Sequence, residues 1–327
     1  MKRLAVVGAG GWGRNLVRNF VDILGAERVT VCDANPQTLA AQPAGVRTES
    51  EFDRAIDDAE AVVIATPAPT HFALAHRALK AGKHVLVEKP ISLTSDEART
   101  LAAEARRADR RLMVDHLLLY HPAVREMKRI VEAGTLGDLY YLYGQRLNLG
   151  VVRTVENALW SLGSHDVSVF LHIVDAEPVS VSAHGAVYLQ KDRGIEDVAF
   201  LHLTFDNGVQ AHTHVSWLDP HKVRRFTVVG SERMLVFDDM KSEEKLVVHN
   251  RRMEKPSTGR YVFREVESTT KHVEEREPVR EMCSHFLECV RDGCEPVSGA
   301  ENGLNVLRVL ESAQLSIRDG GRAVELS

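Results

Sequence analysis

The stretch that most restricts the fold lies at the start of the chain. A short apolar run, Leu4-Ala5-Val6-Val7, leads into Gly8-Ala9-Gly10-Gly11-Trp12-Gly13, and the helical repeat of Leu16, Val17, Phe20, Val21 and Leu24 follows. A strand, a G-x-G-x-x-G turn and a helix in that order serve one geometry. Gly8 allows a tight turn, Gly10 lets a pyrophosphate approach the backbone, and Gly13 lets helix and strand pack closely. Free amides at the helix start face the phosphates, with Gly11 and Trp12 completing the ligand-facing loop. A second strand, Arg28 to Cys32, ends in Asp33, 20 residues past Gly13. A carboxylate there accepts hydrogen bonds from the adenosine ribose hydroxyls and repels a 2′-phosphate, so NAD is expected over NADP. The alternative for Asp33 is a plain helix cap for the Asn35-Pro36 segment.

The same alternation continues. Ala61 to Ala65 is a buried strand ending in Thr66-Pro67, which are expected to touch the cofactor. Thr70 and His71 open the next helix, with Thr70 expected to cap it and His71 placed on the cofactor side. That helix stops at Ala81-Gly82, and Val85-Leu86-Val87 then reads as a strand buried on both faces. Glu88 and Lys89 emerge at its carboxyl end, where open parallel sheets bind ligands. Lys89 is therefore the first catalytic candidate, an ordinary solvated pair being the alternative. A helix from Ser95 to about Ala108 and a strand to Val114, followed by Asp115-His116, complete a six-strand doubly wound α/β sheet, with residues 1–120 as the NAD-binding domain.

At 327 residues with 44% hydrophobic and 27% charged content, the chain suits two globular domains. A net charge of -5 gives no global pull toward nucleic acid or an anionic membrane. No apolar run is long enough to span a bilayer, and Met1-Lys2-Arg3 leads directly into a strand, so a cytoplasmic protein is expected. Cys32, Cys283, Cys289 and Cys294 lack metal-binding spacing. They read as reduced packing thiols, a redox pair among the last three being the alternative.

Beyond His121-Pro122 the pattern changes. A helix over Val124–Val131 and a strand over Leu139–Leu147 precede strand candidates at Val179–Val187, Val198–Phe205, Val209–Trp217 and Arg225–Val229. Strands in succession without intervening helices imply a mostly antiparallel sheet, hence an α+β substrate-binding and oligomerisation domain over residues 121–327. Lys241 to Glu277 reads as irregular strands and loops. Helices over Val279–Val290 and Ala300–Ile317 are of a kind that packs back between domains. His202, His212, His214 and His221 invite a metal reading, but they lack a carboxylate or cysteine partner at ligand spacing. Packing or oligomer contacts are expected there instead, and no metal.

The glycine loop, Asp33, Thr66-Pro67 and Glu88-Lys89-Pro90 together resemble the glucose-fructose oxidoreductase, inositol dehydrogenase and MocA family. The resemblance implies that Lys89 lies at the nicotinamide and helps bind or deprotonate a sugar hydroxyl, that Glu88 supports the lysine or the cofactor, and that the Lys-Pro peptide is cis. The family places an Asp four residues before a helix-start His; this chain has Ser161 there and keeps His165. The implied proton chemistry falls to Lys89 and His165, with Asp166 facing elsewhere as support. The segments Gly10–Asn15, Arg146–Gly150, Leu159-Trp160-Ser161 and Ser216–Pro220 resemble a branch of nucleotide-sugar 3-dehydrogenases similar to UDP-N-acetylglucosamine 3-dehydrogenase. This implies oxidation of the C3 hydroxyl of a UDP-linked N-acetylamino sugar, with Arg146, Asn148, Arg153, Trp160, Ser161 and Arg224 at the substrate.

Arg224 and Arg225 are adjacent on a strand and point oppositely, so at most one faces a ligand. A solvated face is the alternative for each of these cations. The alternatives for the whole are an NAD-dependent dehydrogenase of a free sugar, inositol or other polyol, and a non-catalytic NAD-binding regulator. A homodimer or homotetramer and a pathway aminotransferase are the expected partners.

Overall fold

The computed structural model describes residues 3–256 and 259–326. The chain forms two compact units, Met1–Tyr120 with Arg276–Leu307, and His121–Glu275 with Arg308–Ser327. Residues 276–307 thus belong with the first unit, where a single division after residue 120 would give them to the second. Among the described residues no helix is long and apolar enough to cross a membrane.

The first unit runs β1 (Leu4–Val7), α1 (Gly13–Leu24), β2 (Val29–Cys32), α2 (Pro36–Ala40), β3 (Arg47–Glu49), α3 (Phe52–Ile56), β4 (Ala61–Ile64), α4 (His71–Lys80), β5 (His84–Val87), α5 (Ser95–Ala108) and β6 (Leu112–Val114). Its six strands are ordered β3-β2-β1-β4-β5-β6, and every pair is parallel. The order reverses at β1 and β4, so a crevice opens outside their carboxyl ends. Register aligns those ends: Val7 sits opposite Cys32 and Ile64, and Val87 opposite Ile64 and Val114. β1, β2 and β4 are buried throughout, as expected for strands covered on both faces. β3 has no apolar run because it lies at the exposed edge of the sheet, and periodicity therefore misses it.

The second unit contains α6 (Pro122–Glu132), β7 (Leu139–Leu149), α7 (Ser164–Val174), β8 (Pro178–Ala186), β9 (Val198–Phe205), β10 (Gln210–Ser216), β11 (Leu218–Gly230), β12 (Met234–Asp238), β13 (Leu246–His249), β14 (Arg251–Glu254), β15 (Val262–Glu265), β16 (Thr269–Lys271) and β17 (Val324–Glu325). Nine strands form one sheet in the order β16-β13-β12-β11-β7-β10-β9-β8-β17. Only the central β10–β7 pair is parallel. β14 and β15 form a separate hairpin. The fourth predicted strand is longer than periodicity suggests, because a register shift between Leu218 and Val223 interrupts its alternation.

The two faces of this sheet differ. Leu142, Gly144 and Arg146 of β7 share a face with Phe226 of β11, and this face carries α7, where Phe170 meets Phe226 edge-on. The other face presents Tyr141, Tyr143, Phe200, His202, His212 and His214. There His212 stacks on Tyr143 at 5.0 Å and His214 on Phe200 at 4.4 Å. Alternating positions thus hold the histidines in ring contacts.

The chain returns to the first unit through α8 (Pro278–Asp292), which packs on α1 and on Leu117–Tyr120. Ser298 then closes onto β6: its carbonyl accepts from the Val114 amide at 2.8 Å, and its hydroxyl donates to the Val114 carbonyl at 2.6 Å. α9 (Ala300–Arg318) follows.

Candidate active site

The glycine loop is built as its spacing demands. Gly8 adopts φ 87°, and a Cβ there would lie 2.7 Å from the Ala65 carbonyl oxygen. A Cβ on Gly13 would overlap the Gly8 carbonyl, whereas at Gly10 and Gly11 it would meet nothing within 4 Å. The two ends of the turn are therefore closed to side chains, and its middle offers bare backbone to a ligand. Asp33 pins this loop, because one carboxylate oxygen accepts from the Ala9 amide at 2.9 Å and the other from Asn35 at 2.8 Å. The cap of α2 is Asn35, whose side chain accepts from the Gln37 amide, so the capping alternative for Asp33 gives way. Each Asp33 oxygen retains a second lone pair for a ribose hydroxyl.

At the end of β4, Thr66 is half-buried and Pro67 exposed, which leaves both open to a ligand. Two expectations fail in this loop. Thr70 does not cap α4; its hydroxyl donates to the Pro67 carbonyl at 2.8 Å and lies 2.6 Å from the Thr66 hydroxyl. His71 is not available to a cofactor, being 1% exposed with its ring nitrogens each 2.7 Å from a carbonyl, Pro90 on one side and Thr66 on the other. It braces the loop after β4 against the loop after β5. Burial lowers the His71 pKa despite those two bonds.

Lys89 is half-buried directly beyond β5, and its peptide bond to Pro90 is cis. Glu88 is half-buried: one carboxyl oxygen accepts from the Lys89 amide at 3.2 Å, and the other is buried without a hydrogen-bond partner. Asp115 follows β6 as Glu88 follows β5, so parallel register brings the two carboxyl groups together. Burial, and then the adjacent Asp115 charge, hold the Glu88 pKa well above the usual carboxylate range. Trp12 completes the link, its indole N–H donating to Asp115 at 2.9 Å while the ring stays 38% exposed on the glycine loop. Neighbouring His116 is buried against Asn302, and burial lowers its pKa to about 4.

In the second unit the segment before α7 is a π-helical turn over Leu159–Gly163, a feature often found at functional positions. Ser161 is buried and donates its amide to the Asn157 carbonyl at 2.9 Å. Asn157 is the organiser that sequence reasoning missed. Its amide nitrogen donates to Glu196 at 2.6 Å and Gln314 at 2.7 Å, and its oxygen accepts from the Trp160 amide at 3.0 Å. The half-buried Trp160 indole also donates to Gln314, at 3.3 Å, so its N–H is engaged within the protein. His165 lies half-buried on the first turn of α7.

Arg146 departs from expectation. Its guanidinium donates to Asp166 at 3.0 Å, and the two side chains are 6% and 1% exposed, so its charge is spent inside the unit. Thr213 donates to the other Asp166 oxygen at 2.6 Å, and a Cβ on Gly144 would lie 3.0 Å from it. Asp166 is thus a structural support. Arg224 sits opposite Arg146 in the β11–β7 register, half-buried, and forms no ion pair with any described residue. Burial, then the neighbouring Arg146, lowers its pKa. Arg225 points the other way and pairs with Asp238 at 2.7 Å. Asn148 is half-buried on the Arg146 face of β7, and Arg153 is exposed.

The residues at the strand ends fit an NAD cofactor. Gly8, Gly10, Gly11, Trp12 and Gly13 would carry its pyrophosphate, Asp33 its ribose, and Thr66, Pro67 and Lys89 would adjoin its nicotinamide half.

Residues 2–116 match the model of the oxidoreductase family with an NAD-binding Rossmann fold, and residues 124–236 match the GFO/IDH/MocA C-terminal domain. The chain belongs to this family of NAD-binding sugar oxidoreductases. Among its relatives, the UDP-N-acetylglucosamine 3-dehydrogenase of Acidithiobacillus ferrooxidans is 30% identical over 239 residues, 72% of this chain and 74% of that protein. A solved structure of that enzyme superposes with a TM-score of 0.84 at 26% identity, covering 97% of this chain and 98% of the other. The D-apiose dehydrogenase of Paraburkholderia graminis is 27% identical over 98% of this chain and 89% of its own length. The NAD-dependent scyllo-inositol 2-dehydrogenase of Bacillus subtilis is 25% identical over 97% and 94% respectively.

Proposed function

We propose that this protein oxidises the C3 hydroxyl of a UDP-linked N-acetylamino sugar, with Lys89 and His165 handling the hydroxyl proton. NAD, when bound, supplies the hydride acceptor. Lys89 offers a cation that holds the hydroxyl oxygen and stabilises the negative charge that grows on it as the proton leaves. His165 is the general base that accepts the hydroxyl proton. Ser161 lacks the carboxylate that would orient or charge such a base, so the histidine works with less help.

The observation that carries the nucleotide-sugar reading is Arg224, a half-buried guanidinium that forms no ion pair with any described residue. Burying a cation is costly unless an anion arrives, and a diphosphate supplies one. A 3-keto product would suit an aminotransferase as the next enzyme, and the aromatic and histidine face of the second sheet suits a homodimer or homotetramer. The test compares UDP-N-acetylglucosamine with N-acetylglucosamine, myo-inositol and apiose by NADH absorbance. Arg224→Met is expected to raise KM for the nucleotide sugar about tenfold, equivalent to ~1.4 kcal/mol, with kcat nearly unchanged. Equal turnover of free sugars and no effect of the substitution would overturn the reading.

A free sugar or polyol is the second reading. The Arg146–Asp166 pair favours it, because it removes one of the cations that a diphosphate would use. A non-catalytic regulator is the third, favoured only by Ser161, and inactivity across the whole panel with NAD bound would select it.

A further inference from the structure

Helix α8 ends in a turn that brings two thiols together. Gly293 adopts φ 73°, and its amide donates to the Cys289 carbonyl at 3.0 Å. Such left-handed helix ends commonly seat the residue after the glycine on a side chain in the last helical turn, usually as an aliphatic contact. Here both partners are cysteines, and the sulfur of Cys294 lies 2.9 Å from that of Cys289. Cys294 is exposed and Cys289 buried, both with free thiols. His285, one turn earlier on α8, places Nε2 at 3.5 Å from the Cys289 sulfur. The same nitrogen accepts the Val297 amide at 3.1 Å, which engages its lone pair and holds the ring in place. An accessible thiol and a buried thiol in contact with it form an attacking and resolving pair.

We infer that Cys289 and Cys294 are a reversible dithiol site, with Cys294 reacting first with a peroxide and Cys289 closing the disulfide. The Cys294 thiolate attacks one peroxide oxygen, the O–O bond breaks, and Cys294 becomes a sulfenic acid as hydroxide leaves and takes up a proton to form water. Cys289 then attacks the Cys294 sulfur as its own proton passes to the departing hydroxide. The S–O bond breaks, the S–S bond forms, and the departing hydroxide takes up a proton as the second water. Two thiols are oxidised by two electrons, and one peroxide is reduced to two waters. Burial, then the adjacent Cys294, push the Cys289 pKa up to about 12, which leaves the first attack to its exposed partner. Cys283 and Cys32 are buried and serve as internal controls.

The test uses the full chain, treated with substoichiometric hydrogen peroxide and then alkylated under denaturing conditions for intact and peptide mass analysis. The expected product has lost two hydrogen atoms, shows Cys289 and Cys294 jointly protected, and regains both thiols with a dithiol reductant. In Cys289→Ala, Cys294 should instead accumulate a dimedone-reactive sulfenic acid, and Cys294→Ser should consume peroxide no faster than a cysteine-free surface. Oxygen addition at Cys294 with Cys289 still alkylatable in the unsubstituted chain would overturn the inference, as would pairing of either thiol with Cys283.

Discussion

The two large sheets of this molecule deliver chemistry in opposite ways. In the parallel sheet of the first unit the faces are sealed by helices, and the reactive groups emerge at the ends: the glycine loop after β1, Asp33 after β2, Thr66-Pro67 after β4, Lys89 after β5. In the mixed sheet of the second unit the groups lie on the faces, and what each can do depends on its neighbour across the strand. Arg146 and Arg224 are directly opposite each other, yet one is paired with Asp166 and the other forms no ion pair among the described residues. An end-delivered residue is thus defined by its own position in the chain, and a face-delivered residue by its pairing.

Substitutions can break or sharpen that contrast. The largest effect belongs to the ends. Lys89→Ala should lower turnover by ~10²–10⁴-fold, as for loss of a proton-handling group, with NAD affinity by fluorescence titration retained. Near-normal turnover would remove Lys89 from the chemistry. On the face, Arg146→Met should destabilise the protein by about 3–5 kcal/mol in urea unfolding, because Asp166 is left buried and unpaired. A loss as small as that of Arg224→Met would erase the distinction between the two arginines.

Smaller effects come from the supports of the strand ends. Gly13→Ala should cost about 1–3 kcal/mol and weaken NAD binding, since the new methyl displaces the Gly8 carbonyl. Glu88→Gln probes the carboxyl pair through pH. A carboxyl group whose folded pKa is raised contributes stability fully below its ordinary value of 4.5, and loses it as pH rises from there through the raised value. Unfolding midpoints of the parent should fall more steeply than those of Glu88→Gln across that window. Parallel curves would show that Glu88 is ionised in the folded protein.

The contrast also explains what could be read from the chain. The cofactor unit was legible because each strand end is announced locally, by an apolar run followed by glycine, acid or lysine. β3 escaped because an edge strand carries no such run. The Trp12–Asp115 bond joins residues 103 positions apart, and nothing near either one signals the other. Arg146 read as a cation at the substrate and Asp166 as a support, and only the β7–α7 packing makes them partners. His71 read as a helix-opening residue on the cofactor side, while its ring is held by the Pro90 carbonyl from the loop after another strand.

The late return of residues 276–307 bears on how the protein is made. α1 is lined by α8, and the Val114 end of β6 is hydrogen-bonded by Ser298, so the ribosome must synthesise most of the chain before the amino-terminal unit can close. Amino-terminal domains commonly fold first during synthesis. Here a nascent chain of residues 1–120 should stay protease-sensitive, and protection should arise only after residue 307 has left the exit tunnel.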